Sequence, residues 1–277
     1  MPDPHFAAYS FVDRIVELVP GKRARGGFAI PARIAEFPAA LVAEAVGQLA
    51  AWVAMAALDF RGRPVAALAT ETRFLDDARP GQTLELAADI QECDGDAVAY
   101  SGSASVDGRR IIELADCLGP MLPLGDFDAP EALRERLALL RGEGAPPDRF
   151  AGIDDIPVTV THQVPGQELA ASITVPDAAP FFADHFPRRP VFPATLLLDM
   201  MMRLALDAAR GPEAPGRSPR ALRVTHVKMR SFIAPSQQLD IGVTLDPARN
   251  ATARAMLTAK TGERLVASAR LELATGA

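Results

Sequence analysis

The chain is 277 residues long, 49% hydrophobic, and carries a formal net charge of −6. That length suits two domains, and the apolar content excludes global disorder. The negative balance, with no basic block and no aromatic–basic ladder, excludes a general nucleic-acid binder.

Phe11–Val19 and Arg23–Ile30 read as strands joined by a Pro-Gly turn. A long apolar helix follows from near Pro38. The stretch Phe37–Phe60 is nearly long enough to cross a membrane. Glu44 and Gln48 lie inside it, however, and a centrally placed acid is costly in lipid, so no membrane span is expected. A helix covered by protein on most sides fits better. Strands are then expected over Val65–Phe74, Thr83–Gln91, Val98–Val106 and Arg110–Cys117, separated by Pro-Gly, Asp-Gly-Asp and Asp-Gly turns. Pro120–Gly152 is rich in Pro and Gly at its ends and carries one short amphipathic helix, Pro130–Arg141, which reads as a spacer. Pro157–Val164 and Glu168–Val175 lead through a proline-stiffened loop into a second apolar helix, Ala194–Ala209. Leu222–Phe232, Leu239–Leu245, Thr252–Ala259 and Leu265–Leu273 close the chain as strands.

Cys93 and Cys117 have no metal-ligand spacing and read as small buried hydrophobes in a reducing compartment. Met1-Pro2-Asp3-Pro4-His5 lacks the regions of a signal peptide, and a cytoplasmic protein is expected. No metal constellation or glycine-rich nucleotide loop is seen, so no cofactor is expected.

The two halves repeat one plan. Pro38, Glu44, Pro80 and Leu84 recur as Pro193, Asp199, Pro235 and Leu239, each at an offset of 155 (193 minus 38, and likewise for the rest). Val19-Pro20-Gly21 recurs as Val164-Pro165-Gly166. Each half therefore reads as a twisted antiparallel sheet wrapped around one long helix. The expected division is residues 1–120, a linker over 121–152, and residues 153–277. The repeat has one gap. Pro176 to Pro193 spans 17 residues, whereas Pro31 to Pro38 spans 7, so a whole loop is missing from the first half.

That loop carries the chemistry. His185-Phe186-Pro187-x-x-Pro190-Val191-x-Pro193, followed by an acid at Asp199, resembles the hotdog-fold (3R)-hydroxyacyl-acyl-carrier-protein dehydratases. Glu44-x-x-x-Gln48 resembles the acid-plus-glutamine helix motif of the same superfamily. The resemblance implies an α+β double hotdog, a pseudo-dimer within one chain that leaves a further homodimer open. In that family the histidine of one hotdog meets the acid of the other in a tunnel between them. Here His185 is thus expected to pair with Glu44, and Asp199 to be the vestige of a second site. Arg203 stands where Gln48 would lead one to expect glutamine, which agrees with a dismantled site.

Dehydration of a 3-hydroxyacyl thioester needs a base for the Cα proton and an acid for the departing hydroxyl. Neutral imidazole suits the first task and Glu44, on its apolar helix, the second. The resemblance also implies that the Val191 carbonyl orients the imidazole and that Gln48 bonds near Glu44. The N–H groups of Ala194 and Thr195 would polarise the thioester carbonyl; the family pattern has Gly where Ala194 stands. Phe181, Phe182, Phe186 and Phe192 are expected to line an acyl tunnel, with Arg188, Arg189 and Arg203 near its mouth to receive the phosphopantetheine phosphate or the acidic acyl carrier protein, the substrate being a thioester of that protein or of coenzyme A. His5, His162 and His226 read as ordinary surface or strand residues. Two other readings stay open: a hotdog acyl thioesterase, and a non-catalytic acyl-binding or assembly subunit. Fatty acid and polyketide biosynthesis are both compatible with the motif.

Overall fold

A computed structural model describes residues 5–210, 218–249 and 251–275, so Met1–Pro4 of the N-terminal reading lie outside the described residues. The first half comprises β1 (Arg14–Val19), β2 (Arg23–Ala29), α1 (Ala39–Ala57), β3 (Gly62–Pro64), β4 (Leu68–Phe74), β5 (Thr83–Cys93), β6 (Ala97–Val106) and β7 (Arg109–Pro123). A helix, α2 (Pro130–Arg141), connects it to β8 (Val158–Val164), β9 (Glu168–Thr174), α3 (Ala194–Ala209), β10 (Arg220–Met229), β11 (Gln238–Arg249), β12 (Thr252–Thr261) and β13 (Arg264–Ala274).

Alternation of side chains across each strand sets one apolar face toward the helices. In β12, Ala253, Ala255, Leu257 and Ala259 are buried while Arg254, Met256 and Lys260 face outward. The strands run antiparallel in the order β1-β2-β5-β6-β7-β4-β10-β13-β12-β11-β9-β8, with β3 paired to β7. The fold is an α+β double hotdog in which the halves share one continuous sheet.

The junction is the β4–β10 ladder, and its register carries the repeat. Leu68 pairs with Lys228 and Arg73 with Arg223. Adding the offset of 155 to Leu68 gives position 223, and adding it to Arg73 gives position 228. The pairing is therefore self-complementary, as in the two-fold interface of a dimer.

Inside the sheet, α1 and α3 lie against each other. On α1, Leu41, Val46, Leu49 and Val53 are fully buried, each worth about 1.5–3 kcal/mol of hydrophobic transfer. By length and composition α1 passes for a membrane span, but here it is the core helix of the first hotdog. The element α2 is more than a spacer. Its Leu133, Arg136 and Leu140 are buried and line the central cavity, because its apolar stripe closes over the N-terminal segment.

Candidate active site

Pro193 starts α3 with no side-chain cap, as Pro38 starts α1, and helix geometry leaves the first N–H groups of each helix without intrahelical acceptors. The loop preceding α3 folds back on itself. The His185 N–H donates to the Phe181 carbonyl at 2.8 Å, and His185 Nδ1 meets the Val191 carbonyl at 3.0 Å. A carbonyl only accepts, so Nδ1 carries the proton and Nε2 of the neutral ring presents its lone pair. Burial pushes the His185 pKa below its ordinary value, ahead of the opposing pull of Glu44 and of the Val191 carbonyl. Phe186, the next residue, has φ of 67°, a left-handed conformation strained for a side chain of this size. Its ring is held between Phe127, 5.1 Å away, and the Arg63 guanidinium, 4.7 Å above it.

Glu44 projects from α1 and is gripped at both oxygens. Gln48 Nε2 donates to Oε1 at 3.0 Å, and Thr195 Oγ1 donates to Oε2 at 2.8 Å. His185 and Glu44 line one cavity of about 240 Å³ together with Gln48, Phe186, Val191, Phe192, Ala194 and Thr195. All eight residues come from the two motifs, two on the first helix and six at the loop-to-helix junction of the second half. Phe181 and Phe182 do not line this cavity: the turn Pro180–Ala183 buries both in the core behind the histidine.

Asp199 sits outside the cavity. Its Oδ2 accepts from Arg203 Nε at 2.7 Å, and Arg203 also pairs with Glu36 at 2.5 Å. Burial raises the Asp199 pKa, with Arg203 opposing the shift. Arg203 is thus committed to two carboxylates and is not at the mouth. The mouth lies instead at Leu68 and Phe232, which line the cavity and are 40% and 37% exposed. Arg189 stacks over Phe232 at 4.8 Å, and Arg188 donates to the Gly125 carbonyl. Beneath α1 the cavity is lined by Gly47, Met55, Tyr100 and Cys117. A Cβ on Gly47 would stand 3.2 Å from the Tyr100 hydroxyl.

Several site residues gave no sequence signal. The segment before β1 crosses to the histidine loop, where the Asp184 carboxylate accepts from the backbone N–H groups of Phe6 and Tyr9 and from Ser10 Oγ. His5 is no ordinary surface residue. Its Nδ1 bonds the Ala183 carbonyl, and its ring lies 3.6 Å from both Asp128 and Asp184. Burial opposes its charge, but these groups outweigh burial and lift its pKa to about 10. Arg63, half-buried, pairs with Asp128 at 3.3 Å. An acid directly before the motif histidine was the one available hint, and it points to no partner by itself.

The profile of the ApeI-like family, described as ApeI dehydratase, matches residues 161–270. A 3-hydroxyacyl-acyl-carrier-protein dehydratase FabZ of Pelotomaculum thermopropionicum is 32% identical over 128 residues, which cover 46% of this chain and 84% of that protein. The chain belongs to the hotdog-fold dehydratase family. A second such dehydratase, from Bacillus velezensis, is 32% identical over 121 residues, covering 40% of this chain and 86% of its own length. Among solved structures, a putative oleoyl thioesterase of Lactobacillus plantarum matches 92% of this chain and 96% of its own at a TM-score of 0.59 and 9% identity. A tesB protein of Mycobacterium avium subspecies paratuberculosis matches 94% and 95% at a TM-score of 0.57 and 17% identity. At such identities these two speak to the tandem fold alone.

Proposed function

We propose that this hotdog dehydratase removes water from a 3-hydroxyacyl thioester, borne by acyl carrier protein or coenzyme A, at a single composite site. The observation that carries the reading is that His185, with Nδ1 bonded to the Val191 carbonyl, and Glu44 line one cavity, with Asp199 outside it. His185 Nε2 takes the Cα proton, and the C–H electron pair becomes the Cα=Cβ bond. The Cβ–O bond breaks with its pair going to oxygen, which takes the proton of Glu44 and leaves as water. The N–H groups at the start of α3, from Ala194 and Thr195, face the thioester oxygen as negative charge builds on it. The acyl chain runs beneath α1 toward Gly47 and Tyr100, while Arg188 and Arg189 meet the phosphate of the carrier at the mouth.

The test is product analysis with 3-hydroxybutyryl and crotonyl thioesters of pantetheine. Enoyl absorbance that rises with the hydroxyacyl substrate and falls with crotonyl, without free thiol, supports the reading. Thiol release from both substrates identifies a thioesterase, and neither change leaves a non-catalytic acyl-binding subunit.

A further inference from the structure

We infer that Tyr9 is a positioning residue of this site, its hydroxyl holding Glu44 through Thr195 and its carbonyl holding it through Gln48. The inference rests on Glu44 as the proton donor. Tyr9 is 2% exposed and comes from the segment before β1. Its ring packs edge-on against Phe11 at 4.9 Å and His185 at 5.5 Å, and phenylalanine would fill the same space. The hydroxyl is what packing leaves unexplained.

Donor counting assigns its direction. A threonine hydroxyl has one proton, and Thr195 spends it on Glu44 Oε2 at 2.8 Å. The 2.7 Å contact between Tyr9 and Thr195 therefore has the phenol as donor. The Gln48 amide is oriented with the same economy. Its Oε1 accepts the Phe11 N–H at 2.8 Å, so its Nε2 has two protons to give, one to the Tyr9 carbonyl at 2.9 Å and one to Glu44 Oε1 at 3.0 Å. Both oxygens of the acid are thus reached by donors that Tyr9 fixes, one from its side chain and one from its main chain. The Tyr9 N–H is itself tied to Asp184, the neighbour of the base, at 2.7 Å.

These donors match the charge that catalysis creates. When Glu44 gives its proton to the departing hydroxyl it becomes an anion, and donors already aimed at both oxygens stabilise that anion without reorganising. Without the Tyr9 proton, Thr195 loses the bond that aligns it, and its hydroxyl turns off Glu44. The N-terminal segment is on this account a working part of the site.

The test compares Tyr9→Phe, Thr195→Val and the double variant. Tyr9→Phe lowers kcat about tenfold with KM within about twofold of native, since the affected bond strengthens only as charge develops. Thr195→Val lowers kcat about a hundredfold. The double variant is no slower than Thr195→Val within about twofold, because the phenol acts only through Thr195. A substrate-free readout accompanies these: the carboxyl C=O stretching band of Glu44, assigned by subtracting the spectrum of Glu44→Gln, shifts in Tyr9→Phe. Unchanged kcat in Tyr9→Phe, or losses that multiply in the double variant, overturns the inference. If the native protein turns over no hydroxyacyl thioester, the dehydratase reading fails instead, and the band alone decides: a shift supports the hydroxyl pair and a fixed band overturns it.

Discussion

Glu44 and Asp199 occupy equivalent positions on α1 and α3, one helical turn and a half beyond an N-terminal proline, yet their surroundings have diverged. Glu44 accepts neutral donors, Gln48 and Thr195, and faces a cavity that also holds a histidine. Asp199 accepts from Arg203, itself paired to Glu36, in the place where the first half lacks the histidine loop. The comparison teaches that the half without the loop also treats its matching acid differently: the arginine at the position matching Gln48 ties Asp199 into an ion-pair cluster, whereas Glu44 meets neutral donors.

The strongest way to break this comparison is at the base. His185→Ala is expected to lower kcat about a thousandfold on a 3-hydroxyacyl thioester, measured by enoyl formation. A loss of less than about tenfold would mean that the loop found in one half is not where the chemistry resides. Solution pH probes the same ring. Burial lowers the His185 pKa from 6.5, so the neutral base persists below that value. Turnover is expected to hold down to 6.5 and then fall about tenfold per unit below the lowered pKa. An acid limb centred above 6.5 would contradict the buried neutral base.

The lining beneath α1 has no like residue in the second half, since Met202 stands where the offset places the counterpart of Gly47. Gly47→Val, which drives a side chain toward the Tyr100 hydroxyl, is expected to lower the ratio of kcat/KM for decenoyl over crotonyl thioesters about tenfold. An unchanged ratio would place the acyl chain elsewhere. Asp184→Ala leaves two backbone donors and Ser10 without their acceptor and is expected to cost about 1–3 kcal/mol in urea unfolding. The smallest effect concerns His5. Its pKa, raised to about 10, makes its contribution to stability complete below 6.5 and progressively lost as pH rises toward 10. The gap in melting temperature between native protein and His5→Gln should close over that window, and a gap that widens would reverse the assigned sign.

Much of this was legible in the chain. The offset of 155 marks the two helices, and the missing loop points to His185 and Glu44, which line one cavity, while the β4–β10 junction is seen only in the structure. What was illegible has a common physical cause. Tyr9 and Asp184 are 175 positions apart, and the segment holding Tyr9 has neither strand nor helix periodicity to announce a partner. Arg203 reads as a surface cation until its two carboxylates are placed beside it. Phe181 and Phe182 share the composition of a tunnel wall, but a single turn rotates them into the core. Periodic and repeated features declare themselves along the chain, whereas contacts made once, by irregular backbone, do not.

The most direct test of the central claim sets Glu44→Gln against Asp199→Asn, each measured for kcat on the same 3-hydroxybutyryl thioester. The account expects a loss of at least about a thousandfold for Glu44→Gln and a change within about threefold for Asp199→Asn. The reverse order, with Asp199→Asn disabling the enzyme and Glu44→Gln sparing it, would contradict the account outright.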